Sequence, residues 1–142
     1  MIPRLSAKDR MPDALRGGVV ALGNFDGFHR GHQAVAGEAI AQAKAAGNDV
    51  VELNYDLAGN GKANILKTAG SVKLVAKKNG PVLGIHMVGS RVGELLAEAQ
   101  LIYNWEADAA DVAQHIHAHP TLSEAMGEAH LALAGKPLHA HG

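Results

Sequence analysis

Two β-prone runs in the middle of the chain, SVKLVAKK at 71–78 and PVLGIHMV at 81–88, flank the pair Asn79-Gly80. An Asn-Gly pair between two such runs is the strongest short-range signal for a β-hairpin. The alternating run DVVELNY at 49–55 and the β-branched run VVALG at 19–23 predict two further strands. A helical spacing of apolar residues over 33–46 joins those two strands, so the sequence predicts an N-terminal βαβ unit followed by the hairpin 71–88.

The apolar period changes from two to that of a helix after Gly89. The residues of this helical stripe are Val92, Leu95, Leu96, Ala99, Ile102 and Tyr103. A second helix is predicted from Asp108 to about His117, where Pro120 interrupts the pattern, and a third from about 122 to 133. Strands before residue 90 and helices after it predict an α+β fold, in which one sheet packs against the C-terminal helices.

The composition sets limits on function. The 142 residues suffice for one domain, the formal net charge is −1, and aromatic residues make up 4%. These values disfavour nucleic acid as a partner, because neither a basic field nor base-stacking side chains are present. The chain has no cysteine and no apolar run of the length a membrane span needs. We therefore expect a cytoplasmic protein that does not bind membranes.

The first motif is GNFDGFHRGHQ at 23–33, which lies between the predicted strand 19–23 and the helix that follows. A glycine-rich loop at a helix start offers backbone N–H groups and close approach to a phosphate. His29 and His32 are placed to hold phosphate oxygens during nucleotidyl transfer. The same residues also suit a plain loop between a strand and a helix, so both interpretations stay open.

Residues 12–45 resemble the nucleotidylyltransferase domain of bifunctional riboflavin kinase/FAD synthetase, through this motif. The resemblance implies that six residues contact the phosphates and ribose of ATP with magnesium: Gly23, Asn24, Asp26, His29, Gly31 and His32. That family also needs a flavin pocket and a second phosphate-binding motif, and nothing in this chain resembles either. We therefore expect at most weak binding of phosphate or ATP there.

The second motif is HAHPTLSEAMGEA at 117–129, where His119 precedes Glu124 by five positions and Pro120 lies between them. A carboxylate bonded to an imidazole fixes its tautomer and raises its basicity, as in an acid–base pair. Two other interpretations remain open. The pair is equally compatible with a hydrogen bond of no function, and the alternating His115, His117 and His119 are compatible with a zinc site.

Residues 50–139 closely resemble the C-terminal dimerisation domain of dihydrolipoyl dehydrogenase. The resemblance rests on NGPVLGIHMVGSRVGELLAEAQLI at 79–102 and DVAQHIHAHPTLSEAMGEAHLALAGKPLH at 111–139. It implies that His119 and Glu124 form the acid–base pair, which serves the redox disulfide and flavin of the opposite subunit. It further implies a cis His119–Pro120 peptide, and a homodimer formed through the helical stripe after Gly89 and the last helix.

The two resemblances together suggest a chimera, either engineered or natural, that forms one composite domain over 1–142. Its parts would be a lead-in (1–17), a nucleotidyltransferase-like strand, loop and helix (18–47), and a dimerisation-like part (48–142), joined within 42–51. The parent families use FAD, NAD or ATP, but this chain matches neither parent's remaining parts, so we expect no bound cofactor, no metal and no catalysis. The alternatives are a weak ATP-binding fragment and a surviving dihydrolipoyl dehydrogenase or FMN adenylyltransferase.

Overall fold

The computed structural model of the chain describes residues 37, 38, 41, 44, 47 and 49–138. Its sheet has three antiparallel strands in the order β1-β2-β3. They are β1 (Val50–Asp56), β2 (Gly70–Lys77) and β3 (Val82–Gly89). The strand at 49–55 and the hairpin 71–88 are therefore confirmed, and so is the α+β class.

The turn of the hairpin takes its shape from the residues that predicted it. Asn79 adopts a positive φ of 55°, a conformation that asparagine tolerates better than most residues. The N–H of Gly80 donates to the carbonyl of Lys77, and the N–H of Lys77 donates to the carbonyl of Pro81, both at 3.0 Å. The register shifts by one residue beside the turn, between Val75 and Ala76, where the ladder has a bulge.

Four short helices follow within residues 49–138, the continuous described range: α1 (Gly61–Leu66), α2 (Leu96–Asn104), α3 (Ala109–Val112) and α4 (Glu124–Leu133). Turns of 3₁₀ helix precede α1 at Leu57–Gly59 and α2 at Val92–Leu95. The core contains Leu57, Val72, Leu74, Val82, Ala125, Met126 and Ala129 among its most buried members. Helix α4 packs against β1 and β2, which fixes the loop before it close to the sheet.

The predicted helix from Asp108 to His117 is wrong beyond Val112. The N–H of Asp108 donates to the Asp111 carboxylate at 3.1 Å, so the helix starts where the sequence indicated. From Ala113 onward the chain forms a loop that runs to Ser123. The loop replaces the helix because the side chain of His117 bonds to a residue of α2, a tertiary contact that continued helix would not allow.

Only part of the apolar stripe after Gly89 remains on the surface of the chain. Four of its members, Val92, Leu95, Ala99 and Ile102, are each only 6% exposed and belong to the core of the chain. Most of α4 is also buried within the chain. Burial within one chain does not decide whether the rest of the stripe and the last helix form the dimer interface, so that interface stays a prediction. Exposed large apolar side chains among the described residues include Leu96, a member of the stripe, and also Ile65, Leu66, Leu101, Trp105, Ile116 and Leu138.

The N-terminal part of the predicted βαβ unit lies almost wholly outside the described residues. Residues 37, 38, 41 and 44 are helical, in agreement with the periodicity of 33–46. The strand predicted at 19–23 and the loop 23–33 are not described, so their pairing and contacts stay predictions. Among the helices of the described ranges, none has the length and apolar character needed to cross a membrane.

Candidate functional site

The loop 113–123 presents His119 beside the start of α4. The Nδ1 atom of His119 lies 2.8 Å from Oε1 of Glu124. The second carboxylate oxygen, Oε2, accepts the backbone N–H of Thr121 at 2.8 Å. One carboxylate therefore holds both the imidazole and the backbone next to it, and the pair predicted from the five-residue spacing is formed.

The backbone between these residues is fixed by further bonds. The His119–Pro120 peptide is cis, as the resemblance implied. The hydroxyl of Thr121 donates to the carbonyl of Ala118 at 2.6 Å, and the Thr121 carbonyl accepts Nδ2 of Asn60 at 3.0 Å. Asn60 is buried and lies 61 positions earlier in the chain, so the loop is tied to the segment before α1.

The imidazole of His119 faces outward. Its side chain is 76% exposed, whereas that of Glu124 is 25% exposed. A carboxylate that bonds to Nδ1 favours the neutral tautomer with the proton on Nδ1, which leaves the lone pair on Nε2. Nε2 is then the atom able to take a proton from a group outside this chain. A Cβ added at Gly61 would lie 3.6 Å from Cε1 of His119, so the ring lies near the start of α1.

A second histidine of the same loop is held in a different way. Nε2 of His117 lies 2.6 Å from Oε1 of Glu98 on α2, and the His117 side chain is only 11% exposed. The hydrogen bond to Glu98 raises the pKa of His117, and burial opposes this only in part. No local pattern in the sequence indicates this pair, because its members are 19 positions apart and lie on different elements.

A third histidine, His130 on α4, is fully buried. Its Nδ1 donates to the carbonyl of Met126 at 2.7 Å, while Nε2 has no hydrogen-bond partner. Burial lowers the pKa of His130, which favours the neutral ring. No local motif in the sequence indicates His130, because its position in α4 resembles any other helical position.

The zinc interpretation gains no support from this geometry. Among the described residues, no group of three or more histidine and carboxylate side chains is arranged to hold a metal ion. His117 and His119 bond to two different carboxylates, and His115 is exposed on the loop. The six residues of the predicted ATP loop, in 23–33, lie outside the described residues.

The antiparallel sheet, the helices packed on it and the histidine–glutamate pair on either side of a cis proline define a class. This is the α+β dimerisation domain of flavin disulfide reductases. The chain belongs to the pyridine nucleotide-disulphide oxidoreductase dimerisation domain family, whose sequence profile matches residues 28–130. The matched range begins at residue 28, which lies before the join between the two parts of the predicted chimera, placed within 42–51.

Individual relatives agree with this family. Over 96 residues, or 66% of the chain, it is 43% identical to a dihydrolipoyl dehydrogenase of Mycobacterium tuberculosis (strain ATCC 25618 / H37Rv). It is 42% identical over 100 residues (69% of the chain) to the Bacillus subtilis (strain 168) enzyme of that name. It is 38% identical over 108 residues (75%) to the mitochondrial dihydrolipoyl dehydrogenase 2 of Arabidopsis thaliana.

The chain spans about one fifth of these relatives, 21% of the length of each. These comparisons support the dimerisation-like part of the chain. They give no support to a nucleotidylyltransferase-like part or to a chimera, which therefore stay predictions.

Proposed function

We propose that this chain is a homodimerising module that carries one half of a proton-transfer site of the dihydrolipoyl dehydrogenase type. The observation that carries the proposal is the geometry of His119. Its Nδ1 is bonded to Glu124 at 2.8 Å, and Nε2 is free to meet a group from outside. An acid–base residue with a fixed tautomer and an exposed acceptor atom is of use only when a second surface approaches it.

The chemistry assigned to this chain is limited to moving a proton. Nε2 of His119 would take a proton from the thiol of a bound substrate, since a second copy of this chain brings no cysteine, and Glu124 would stabilise the resulting imidazolium. The family name implies a pyridine nucleotide and a disulfide as further participants. This chain has no cysteine, and the side chain of His119 is 76% exposed. We therefore assign no flavin, nicotinamide or disulfide step to it.

The interface of the proposed dimer has to come from the apolar side chains that remain exposed. Leu101 and Trp105 lie one turn apart on and beside α2, and Trp105 is 76% exposed. Ile116, in the same loop as His119, is 98% exposed. Large aromatic and aliphatic side chains at the centre of an interface supply much of its binding energy. A second copy that covers Ile116 would also reach the surface that displays His119.

We expect no turnover by the isolated chain, whether with dihydrolipoamide and NAD or with FMN, ATP and magnesium. A lone proton-transfer pair accelerates a reaction by about 10²–10⁴-fold, and only when a substrate is held against it. Removing members of a catalytic unit is strongly non-additive, so half of a site does not give half of the activity.

A graft tests the proposal directly. Residues 50–130 of this chain replace the matching part of the Bacillus subtilis relative, and dihydrolipoamide oxidation is measured. We expect an active graft, and a loss of about 10²-fold or more when His119→Gln is added. A His115→Gln graft is the matched control, because His115 is an exposed histidine of the same loop and should leave the rate unchanged. A graft that folds and dimerises but whose activity does not depend on His119 would refute the proposal.

A second candidate function is weak binding of phosphate or ATP by residues 23–33, within a chain of chimeric origin. The observation that favours it is GNFDGFHRGHQ itself, a glycine-rich loop with His29 and His32 before a helical segment. We expect a dissociation constant no tighter than about millimolar, on the order of −4 kcal/mol. An NMR titration with ATP should show shifts that vanish in the His29→Ala/His32→Ala variant. Shifts that persist unchanged would place the binding elsewhere.

A further inference from the structure

The loop that carries His119 is anchored at both of its ends by side chains from other elements. Past His119, Glu124 holds Thr121 N–H and Asn60 holds the Thr121 carbonyl. Ahead of His119, the anchor is the bond of 2.6 Å between His117 Nε2 and Glu98 on α2. His117 is two residues from His119, so this anchor controls the backbone from which the His119 side chain projects.

Helix α4 provides a seat for the His117 ring. A Cβ added at Gly127 would come within 2.7 Å of Nδ1 and 3.1 Å of Cε1 of His117. Real Cβ atoms do not approach other atoms that closely, so any larger residue at this position would displace the ring. Glycine is unfavourable in the interior of a helix, and its presence in α4 is explained by this contact. The ring is thus held between α2 and α4.

The pair is well placed to act as an anchor because it is shielded from water. The His117 side chain is 11% exposed and that of Glu98 is 31% exposed. A hydrogen bond to a charged partner in such a place is stronger than one on an open surface. By contrast, His115 is exposed on the same loop.

We propose that His117 and Glu98, with Gly127 as the seat of the ring, form a latch that orients the imidazole of His119 toward Glu124. His117 is then a positioning residue, which acts through His119 and touches no substrate itself. The latch is inferred from the geometry of this chain. It rests on the proposed function only in that its purpose is to orient a proton-transfer residue.

The test is NMR on the full chain, which needs no catalytic activity. Two-bond ¹H–¹⁵N spectra report which nitrogen of the neutral His119 carries the proton, and amide exchange reports how often the loop 113–121 opens. In the unmodified chain we expect the proton on Nδ1. In His117→Ala we expect a mixture of tautomers and about tenfold or faster exchange in the loop, with the amides of β2 unchanged. His115→Ala should alter neither readout.

Two variants of Glu98 keep the test decisive if His117→Ala does not fold. Glu98→Ala removes the anchor with a residue that favours helix, and it should loosen the loop as His117→Ala does. Glu98→Gln keeps a hydrogen-bonding group of the same size and should restore most of the Nδ1 tautomer of His119. An unchanged His119 tautomer and unchanged loop exchange in folded Glu98→Ala would overturn the proposal.

The NMR result and the graft activity are independent outcomes. If the His119 tautomer and the loop exchange change in the His117 and Glu98 variants, but the activity of the graft does not depend on His119, the proposed function is refuted and the latch is supported. The reverse combination, an active graft that depends on His119 and a loop indifferent to Glu98 and His117, would refute the latch alone.

Discussion

Replacement of the buried Asn60 by alanine should destabilise the fold more than replacement of the exposed Asn64 by alanine. Asn60 is 2% exposed and makes two side-chain bonds. Oδ1 accepts the N–H of Ala63 at 2.9 Å and so caps α1, while Nδ2 donates to the carbonyl of Thr121 at 3.0 Å. Both bonds are lost in Asn60→Ala, and the Thr121 carbonyl keeps no donor from this side.

The magnitude follows from these two bonds. Loss of an N-cap side chain costs about 1 kcal/mol. A carbonyl left without its donor in a partly buried place costs about 1–3 kcal/mol. The free energy of unfolding should therefore fall by about 2–4 kcal/mol. With an m-value of about 2 kcal/mol/M, this lowers the urea midpoint by roughly 1–2 M. All variants are compared at one protein concentration, because a dimer's stability depends on it.

Two further variants separate the contributions. Asn60→Asp keeps an acceptor for the Ala63 N–H but has no donor for Thr121, so it should lose only the second part. Asn64→Ala is the matched control: Asn64 donates to the carbonyls of Ala58 and Asn60 from a more exposed position, and its loss should cost less than about 1 kcal/mol. If Asn60→Ala costs no more than Asn64→Ala, the reasoning about the buried amide is refuted.

Four other predictions concern titration and steric fit. The pKa of His130 is lowered in the folded chain, so below about pH 6.5 the unfolded chain binds a proton at His130 more readily than the folded chain does. The free energy of unfolding therefore falls with falling pH, and His130→Leu should flatten this slope. His117 has the opposite sign: its raised pKa gives stability that is present below about pH 6.5 and lost as pH rises through the folded value, so His117→Ala should remove that loss. Gly70→Ala should prevent folding, because a Cβ there would lie 2.0 Å from the Val88 carbonyl oxygen. Burial, followed by nearby carboxylates, raises the pKa of Tyr55 to about 12, so ultraviolet titration should show a phenol that ionises only there and is absent in Tyr55→Phe.

The predictions for His130, Gly70 and Tyr55 each have a result that would contradict them. Unfolding midpoints of His130→Leu and the parent chain that run parallel between pH 5 and 7 would contradict the assignment of His130. Gly80→Ala serves as control for Gly70→Ala, because a Cβ at Gly80 comes no closer than 3.4 Å to any side chain. Equal stability of the two glycine variants would contradict the steric argument, and tyrosine absorbance complete well below pH 12 would contradict the burial of Tyr55.

Local signals in the sequence predicted the elements that depend on few residues. The hairpin followed from Asn79-Gly80 between two β runs, and the structure places Asn79 at the positive φ that such a turn uses. The pair of His119 and Glu124 was predictable for the same reason, since five positions and one proline lie between them.

Contacts between distant elements were not predictable in this way. The helix predicted to reach His117 ends at Val112 because His117 bonds to Glu98, 19 positions away. Ile102 and three other members of the stripe assigned to a dimer interface pack inside the chain, whereas Leu96 stays exposed, because periodicity shows which face is apolar and not what covers it. Gly127 in α4 has no local signal in the sequence, because its role depends on the ring of His117, which packs against it.

The central claim is that the chain is a dimerisation module, and its mass in solution tests this most directly. Light scattering at micromolar concentration should give twice the chain mass of 14.7 kDa. Trp105→Glu should shift the mass toward that of one chain, because it places a charge in the exposed apolar surface assigned to the interface. A strict monomer of 14.7 kDa at micromolar concentration, from a chain whose circular dichroism shows it folded, would contradict the account.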